Sequence, residues 1–204
     1  SLRVVNWLKY ALTLSPDAIP RHWLASLAHQ TAALEGDLEY HLLANHLLKN
    51  GKALVFAGAC LEGPPAPRWL ALGLDILLAE AEAQVLPDGG HVERSPMYHC
   101  IVLEDYLDVV NLLTRNPGLA PAEALATLSA AARRATAFLR GILTGAGDIP
   151  LFNDAAFGIT PPARALLAYA DSVLVGAPSG AIVGRVAPEG APTESRTRIC
   201  FPDT

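Results

Sequence analysis

The sequence is short of cysteine, aromatic residues and charge, and it has no long apolar run. Its three cysteines, Cys60, Cys100 and Cys200, stand far apart in the 204 residues. They form no Cys-x-x-Cys pair, which removes the zinc-ribbon and thioredoxin-like readings. Cys60 and Cys100 read instead as small core residues on helices. No stretch reaches the ~20 apolar residues of a membrane-spanning helix, and the sequence opens at Ser1 without Met and without a signal-peptide pattern. A net charge of −5 lacks the basic stripe of a nucleic-acid binder. Several catalytic templates are missing too. There is no Gly-x-Ser-x-Gly elbow, no glycine-rich phosphate loop and no His-Glu-x-x-His zinc pattern. No metal site and no cofactor is expected.

What remains is apolar and rich in alanine and leucine. Half of the residues (51%) are hydrophobic and only 17% are charged, which is the composition of a folded domain. Alanine and leucine lose little side-chain freedom in a helix. The apolar periodicity predicts helices over 2–14, 21–34, 38–61, 69–86, 97–114, 121–143 and 162–173. Asp37 is the expected N-cap of the third, Ser95-Pro96 the start of the fifth, and Pro121 a first-turn residue of the sixth. Gly63-Pro64-Pro65, Pro87-Asp88-Gly89-Gly90 and Asn116-Pro117-Gly118 separate them. After residue 174 the texture changes to Gly, Pro, Ser and Thr with short β-branched runs. The expected organisation is a helical unit over 1–174 and a linker, or the start of a β domain, over 175–204. A helical bundle or solenoid and an α/α toroid both fit this order.

Two segments carry polar groups that the core does not require. On the third predicted helix, His41, Asn45, Lys49 and Lys52 share one face, and Glu39, His46 and Asn50 a second. One stripe either makes buried helix–helix hydrogen bonds or lines a cleft. In the second segment His91, Glu93, Arg94, Tyr98 and His99 fall within nine residues, after two glycines. The start at Ser95-Pro96 puts Tyr98 and His99 in the first helical turn, where the helix dipole favours negative charge. The alternative there is an exposed Glu93–Arg94 ion pair with Tyr98 as a packing residue. Glu104, Asp105 and Asp108 read as a solvated helix face.

Pro87-Asp88-Gly89-Gly90-His91-Val92-Glu93-Arg94-Ser95-Pro96-Met97-Tyr98-His99 resembles a segment of the heparinase II/III family of polysaccharide lyases. So does the run from Leu38 through Asn45-His46 to Gly58. Shorter likenesses occur at Asn6-Trp7 and at Leu151-Phe152-Asn153-Asp154. The resemblance implies an all-α, incomplete (α/α) toroid of about seven helices, leading toward a β-sandwich domain absent from this chain. It implies β-elimination on an acidic, uronate-containing polysaccharide. Asn45 matches the position that contacts the uronate carboxylate, and Tyr98 matches the tyrosine that serves as base, acid or both. His41, His46, Glu93, Arg94, His99 and Asn153 are expected around the ligand by proximity. The family's catalytic histidine from the sandwich has no counterpart here, because no histidine follows His99. The chain alone is therefore expected to show little activity. A periplasmic or secreted location follows from the resemblance only. The competing functions are a toroidal glycoside hydrolase using Glu39, Glu93 or Asp154, a uronate epimerase using Tyr98, and a non-catalytic carbohydrate-binding helical module.

Overall fold

The structure is a computed structural model that describes residues 1–42 and 45–174. Among these residues the regular structure is helical: α1 (Leu2–Ala11), α2 (Arg21–Gly36), α3 (Asn45–Cys60), α4 (Ala66–Gln84), α5 (Pro96–Arg115), α6 (Ala122–Ile142) and α7 (Ala163–Leu174), with a 3-10 turn at Pro16–Ala18. The expected linker over 175–204 and Cys200 lie outside the described residues. Six of the seven predicted helices stand within a few residues of their expected ends, with Pro121 outside α6 as its N-cap. The third differs. It begins at Asn45, not at 38, because the buried side chain of Asn50 captures the preceding segment. Asn50 Oδ1 accepts the Glu39 backbone N–H at 3.0 Å, and Asn50 Nδ2 donates to Glu39 Oε2 at 2.6 Å. Glu39 is thereby held outside the helix that its propensity favours.

The helices form two rows. α1, α3, α5 and α7 pack side by side in that order, and α2, α4 and α6 lie behind them. α3 is enclosed on several sides, with Leu48, Ala53, Leu54, Val55 and Ala57 wholly buried. Its contact with α4 is close enough to need glycine. A methyl group on Gly73 would sit 2.7 Å from the Gly51 carbonyl oxygen and the Val55 nitrogen.

The front row is tied together by buried charge. Lys49 Nζ donates to Asp105 Oδ2 at 2.7 Å, and Lys52 Nζ to Asp105 Oδ1 at 2.8 Å and Asp108 Oδ2 at 2.5 Å. Lys9 of α1 reaches the same Asp108 oxygen at 2.5 Å, and the Tyr169 hydroxyl of α7 donates to Asp108 Oδ1 at 3.0 Å. The expectation of a solvated Asp105–Asp108 face is therefore corrected. These carboxylates are 3% and 6% exposed because three lysines from two neighbouring helices neutralise them. The pairings also fix direction. Lys49 meets Asp105 and Lys52 meets Asp108, so α3 and α5 run parallel; α1 runs the same way, with the Ser1 ammonium near Glu39 ahead of α3 and Lys9 beside Phe56 further along it. Arg133 reaches the Leu174 carbonyl and Arg140 pairs with Asp171, so α7 runs against α6 and with α5. All four front helices thus begin at one rim.

Burial pulls the Lys52 ammonium down, but Asp105 and Asp108 outweigh it and leave it raised. Burial pushes the Asp108 carboxyl up, but Lys52 and Lys9 outweigh it and hold it below its ordinary 3.8. The aspartate's contribution to stability is thus full above pH 3.8 and is lost as pH falls through the lowered value. Lys52→Met is expected to cost about 3 kcal/mol at neutral pH, because it leaves two buried carboxylates short of one cation. In urea melts this loss should shrink in acid, as Asp108 takes a proton. An equal loss at neutral and strongly acidic pH would show that Lys52 acts through packing.

Candidate functional site

Three connectors reach the rim where the front helices begin: 37–42, 85–95 and 143–162. The middle one is built most tightly. Val85 and His91 pair across an antiparallel bridge, and Leu86 N–H donates to the Gly90 carbonyl at 2.9 Å. Asp88 Oδ1 accepts the Gly90 N–H at 2.9 Å and closes the tip. Gly89 is required there on two counts. Its φ is +91°, and a methyl group on it would lie 2.2 Å from the Arg134 carbonyl oxygen. The hairpin is thus pressed flat on α6, and its next residue, His91, turns inward.

His91 is buried, with Nε2 2.7 Å from Gln84 Oε1 and Nδ1 3.5 Å from Glu93 Oε2. The same Glu93 oxygen accepts from Asn45 Nδ2 at 3.3 Å. This contact joins the two polar segments, since Asn45 opens α3 while Glu93 precedes α5. Ser95 caps α5, its hydroxyl accepting the Tyr98 N–H at 3.5 Å. Tyr98 occupies the first turn, half-buried, as the sequence predicts.

The other expected ligand contacts divide by exposure. His41 is exposed in the turn before α3, so it shares no helical face with Asn45. His46 is exposed in the first turn of α3, with Nδ1 3.6 Å from Glu39 Oε1. Glu39, His46 and Asn50 do meet, but through the returning connector rather than through helical periodicity. Lys49 and Lys52 turn away into the charge network. Arg94 is exposed and Asn153 Nδ2 donates to its carbonyl at 2.7 Å, which brings the 143–162 connector to the same place. His99 does not face the rim. It is 3% exposed, its Nε2 bonds the Ala135 carbonyl at 3.0 Å, and its ring lies on Phe138. Burial pushes both His91 and His99 down to about 4, so His99 stands as a neutral structural ring.

Sequence reasoning missed Gln84 and Glu80, which extend the polar chain behind His91: Gln84 Nε2 donates to Glu80 Oε2. The available signal was a glutamine and a glutamate four apart on a helix that is otherwise apolar on that side. Among the described residues, no group of three His, Cys, Asp or Glu side chains could hold a metal ion, and no helix is long and apolar enough to cross a membrane.

Paired helices in two rows, with the front row opening onto a polar rim, define an α/α architecture of the toroid type. The Heparinase II/III N-terminus family matches residues 8–162, and the chain belongs to that family. A solved heparinase III superposes with a TM-score of 0.53 at 27% identity, over 66% of this chain and 20% of that one. A "Heparin-sulfate lyase" of Bacteroides thetaiotaomicron is 28% identical over 56% of this chain and 16% of its own length. The "FtsZ-localized protein C" of Caulobacter vibrioides is 28% identical over 70% of this chain and 27% of its own. The chain thus spans only a minor part of the relatives it matches.

Arg94 and Asn153 are the described non-glycine residues with left-handed backbone, at φ 56° and 51°. Asparagine adopts this readily; arginine does so at a cost of about 1 kcal/mol. Arg94→Gly is therefore expected to leave stability unchanged or raise it by up to about 1 kcal/mol in urea melts. A clear loss would show that the Arg94 side chain itself holds the loop.

Proposed function

We propose that this chain is the substrate-cleft portion of a polysaccharide lyase that cleaves an acidic, uronate-containing polysaccharide by β-elimination. The carrying observation is the Asn45–Glu93 contact at 3.3 Å. It joins the two segments that resemble lyase sequences at a rim where four helices begin. Parallel helix N-termini place partial positive charge there, which favours an anionic ligand even on a chain of net charge −5.

The chemistry follows from the acidity problem. The proton on C5, α to a uronate carboxylate, is poorly acidic while that carboxylate is anionic. One Asn45 amide hydrogen is taken by Glu93, and the other is left to donate to the carboxylate. That bond strengthens as charge builds on the carboxylate in the carbanionic intermediate. Tyr98 acts at the proton: its phenolate takes the C5 hydrogen, or its phenol delivers one to the departing O4. The C5–H electron pair becomes the C4–C5 double bond as the C4–O4 bond breaks. His41, His46, Arg94 and Asn153 stand at the same rim to bind the sugar, Glu93 anchors Asn45, and His99 supports the turn beneath Tyr98. A β-sandwich domain elsewhere in the protein would supply the further histidine, so the isolated chain turns over little or no substrate.

The test is ultraviolet detection of the unsaturated uronate, with heparan sulfate as the first substrate. In the full-length protein Tyr98→Phe should abolish chromophore formation while leaving binding intact. Asn45→Ala should lower kcat by roughly 100- to 1000-fold, the scale of losing one donor to developing negative charge. Acidic glycan cleavage without the chromophore would overturn the elimination reading, and unchanged turnover in Tyr98→Phe would remove Tyr98 from the chemistry.

A further inference from the structure

The polar chain behind Asn45 has a fixed direction, and that direction creates a mismatch. A glutamate carboxylate only accepts hydrogen bonds, so Gln84 must present its Nε2 to Glu80. Its Oε1 therefore faces His91, and His91 must carry a proton on Nε2 to donate across the 2.7 Å contact. The other ring nitrogen, Nδ1, is buried and has no hydrogen-bond partner, yet a Glu93 oxygen stands 3.5 Å away. With His91 neutral and Glu93 ionised, a buried lone pair would face a carboxylate, which is a costly arrangement. One additional proton on either atom turns it into a charge-assisted or neutral hydrogen bond.

We propose that one proton is held between His91 Nδ1 and Glu93 Oε2, and that this bridged pair is the positioning device for Asn45. The pair anchors Glu93 Oε2, and that same oxygen accepts the Asn45 amide. Asn45 is then held with its second N–H free toward the rim. His91 and Glu93 are positioning residues in this assignment. Neither needs to touch the ligand.

The groups that face the pair are few. Gln84, with Glu80 behind it, approaches from α4, His99 from α5, and Asn45 from α3; Asp88 lies near His99. Burial, and then the His99 ring, push His91 down to about 4, so a proton shared at neutral pH requires the Glu93 carboxylate 3.5 Å from Nδ1 to outweigh both. Glu93 is the more exposed partner, its side chain 29% accessible against 1% for His91, so it is the route by which the proton leaves. As pH rises the proton is lost, Glu93 is repelled from the ring, and Asn45 loses its anchor.

The proton can be read without any enzymatic assay. Nitrogen NMR of the histidine side chains, with the His91 signals assigned by their loss in His91→Gln, reports the state of each ring nitrogen. At about pH 6, near the ordinary histidine value, Nδ1 of His91 should show a hydrogen-bonded proton that disappears in Glu93→Ala. A bare Nδ1 lone pair beside an ionised Glu93 would overturn the proposal. The kinetic consequence rests on the lyase reading. In the full-length protein His91→Ala and Glu93→Ala should each lower kcat/KM by roughly 10- to 100-fold, the scale of a small misplacement of a reacting group. The double variant should be no worse than the worse single one, and the alkaline limb due to the pair should vanish in both. Additive losses would mean that the two residues act separately and would overturn the shared role. If the wild type lacks elimination activity altogether, the lyase reading fails while the NMR result still decides the proton.

Discussion

The Lys9–Lys49–Lys52–Asp105–Asp108 network is the constraint on which the rim depends. The facing surfaces of α3 and α5 are mostly alanine, valine and leucine, and such surfaces pack nearly as well one helical turn out of register. A slip of that kind moves one helix by about 5.4 Å relative to the other. It would break the 3.3 Å contact between Asn45 and Glu93 outright. Charge removes the degeneracy, because any other register leaves a buried carboxylate without a cation. An apolar replacement could match the network in stability, since desolvation offsets much of the ionic attraction. What it would not supply is a single alignment of α1, α3, α5 and α7, and therefore a single rim.

Charge balance explains why such a network can be buried. Three lysines face two aspartates at close range, and half-buried Glu104 lies near enough to feel Asp108 and Lys52. Burial, and then the charge of Asp108, push the Glu104 carboxyl up. The Tyr169 hydroxyl is likewise pushed up by burial and Asp108, and it donates to that aspartate rather than competing with it. The cluster is therefore close to neutral as a whole, which is the condition for keeping ions out of water.

The sequence made the helices legible because alanine and leucine at helical spacing state both period and face. It made Tyr98 legible for a local reason: Ser95 and Pro96 are start signals, so a position in the first turn follows from four residues. The third helix was misread because its entry is decided by a distant side chain. Residues 38–44 have helical propensity, but Asn50, held within the core, takes both the backbone N–H and the carboxylate of Glu39. The Asp105–Asp108 face was misread for the same kind of reason. Two carboxylates three apart suit a wet surface equally well until lysines with matching spacing arrive from another helix. His99 was grouped with the ligand contacts because it adjoins Tyr98, whereas helical geometry sends adjacent residues about 100° apart. Tyr98 stays half-buried against the edge of the core, and His99 looks into α6.

The hairpin between α4 and α5 turns part of this chain's polarity inward. Gly89 lets the tip lie against the Arg134 carbonyl, and that closeness turns His91 inward instead of toward solvent. Once inside, the histidine bonds Gln84 through Nε2 and holds Nδ1 3.5 Å from Glu93 Oε2. Glu93 in turn fixes Asn45. Close approaches thus run from the hairpin tip at Gly89 through His91 and Glu93 to the Asn45 amide at the start of α3. Of the exposed members of the rim, His46 leans on Glu39, which Asn50 holds, and Arg94 is tied through its carbonyl to Asn153. On the lyase reading, the deepest support lies behind Asn45, the donor proposed to meet charge as it develops.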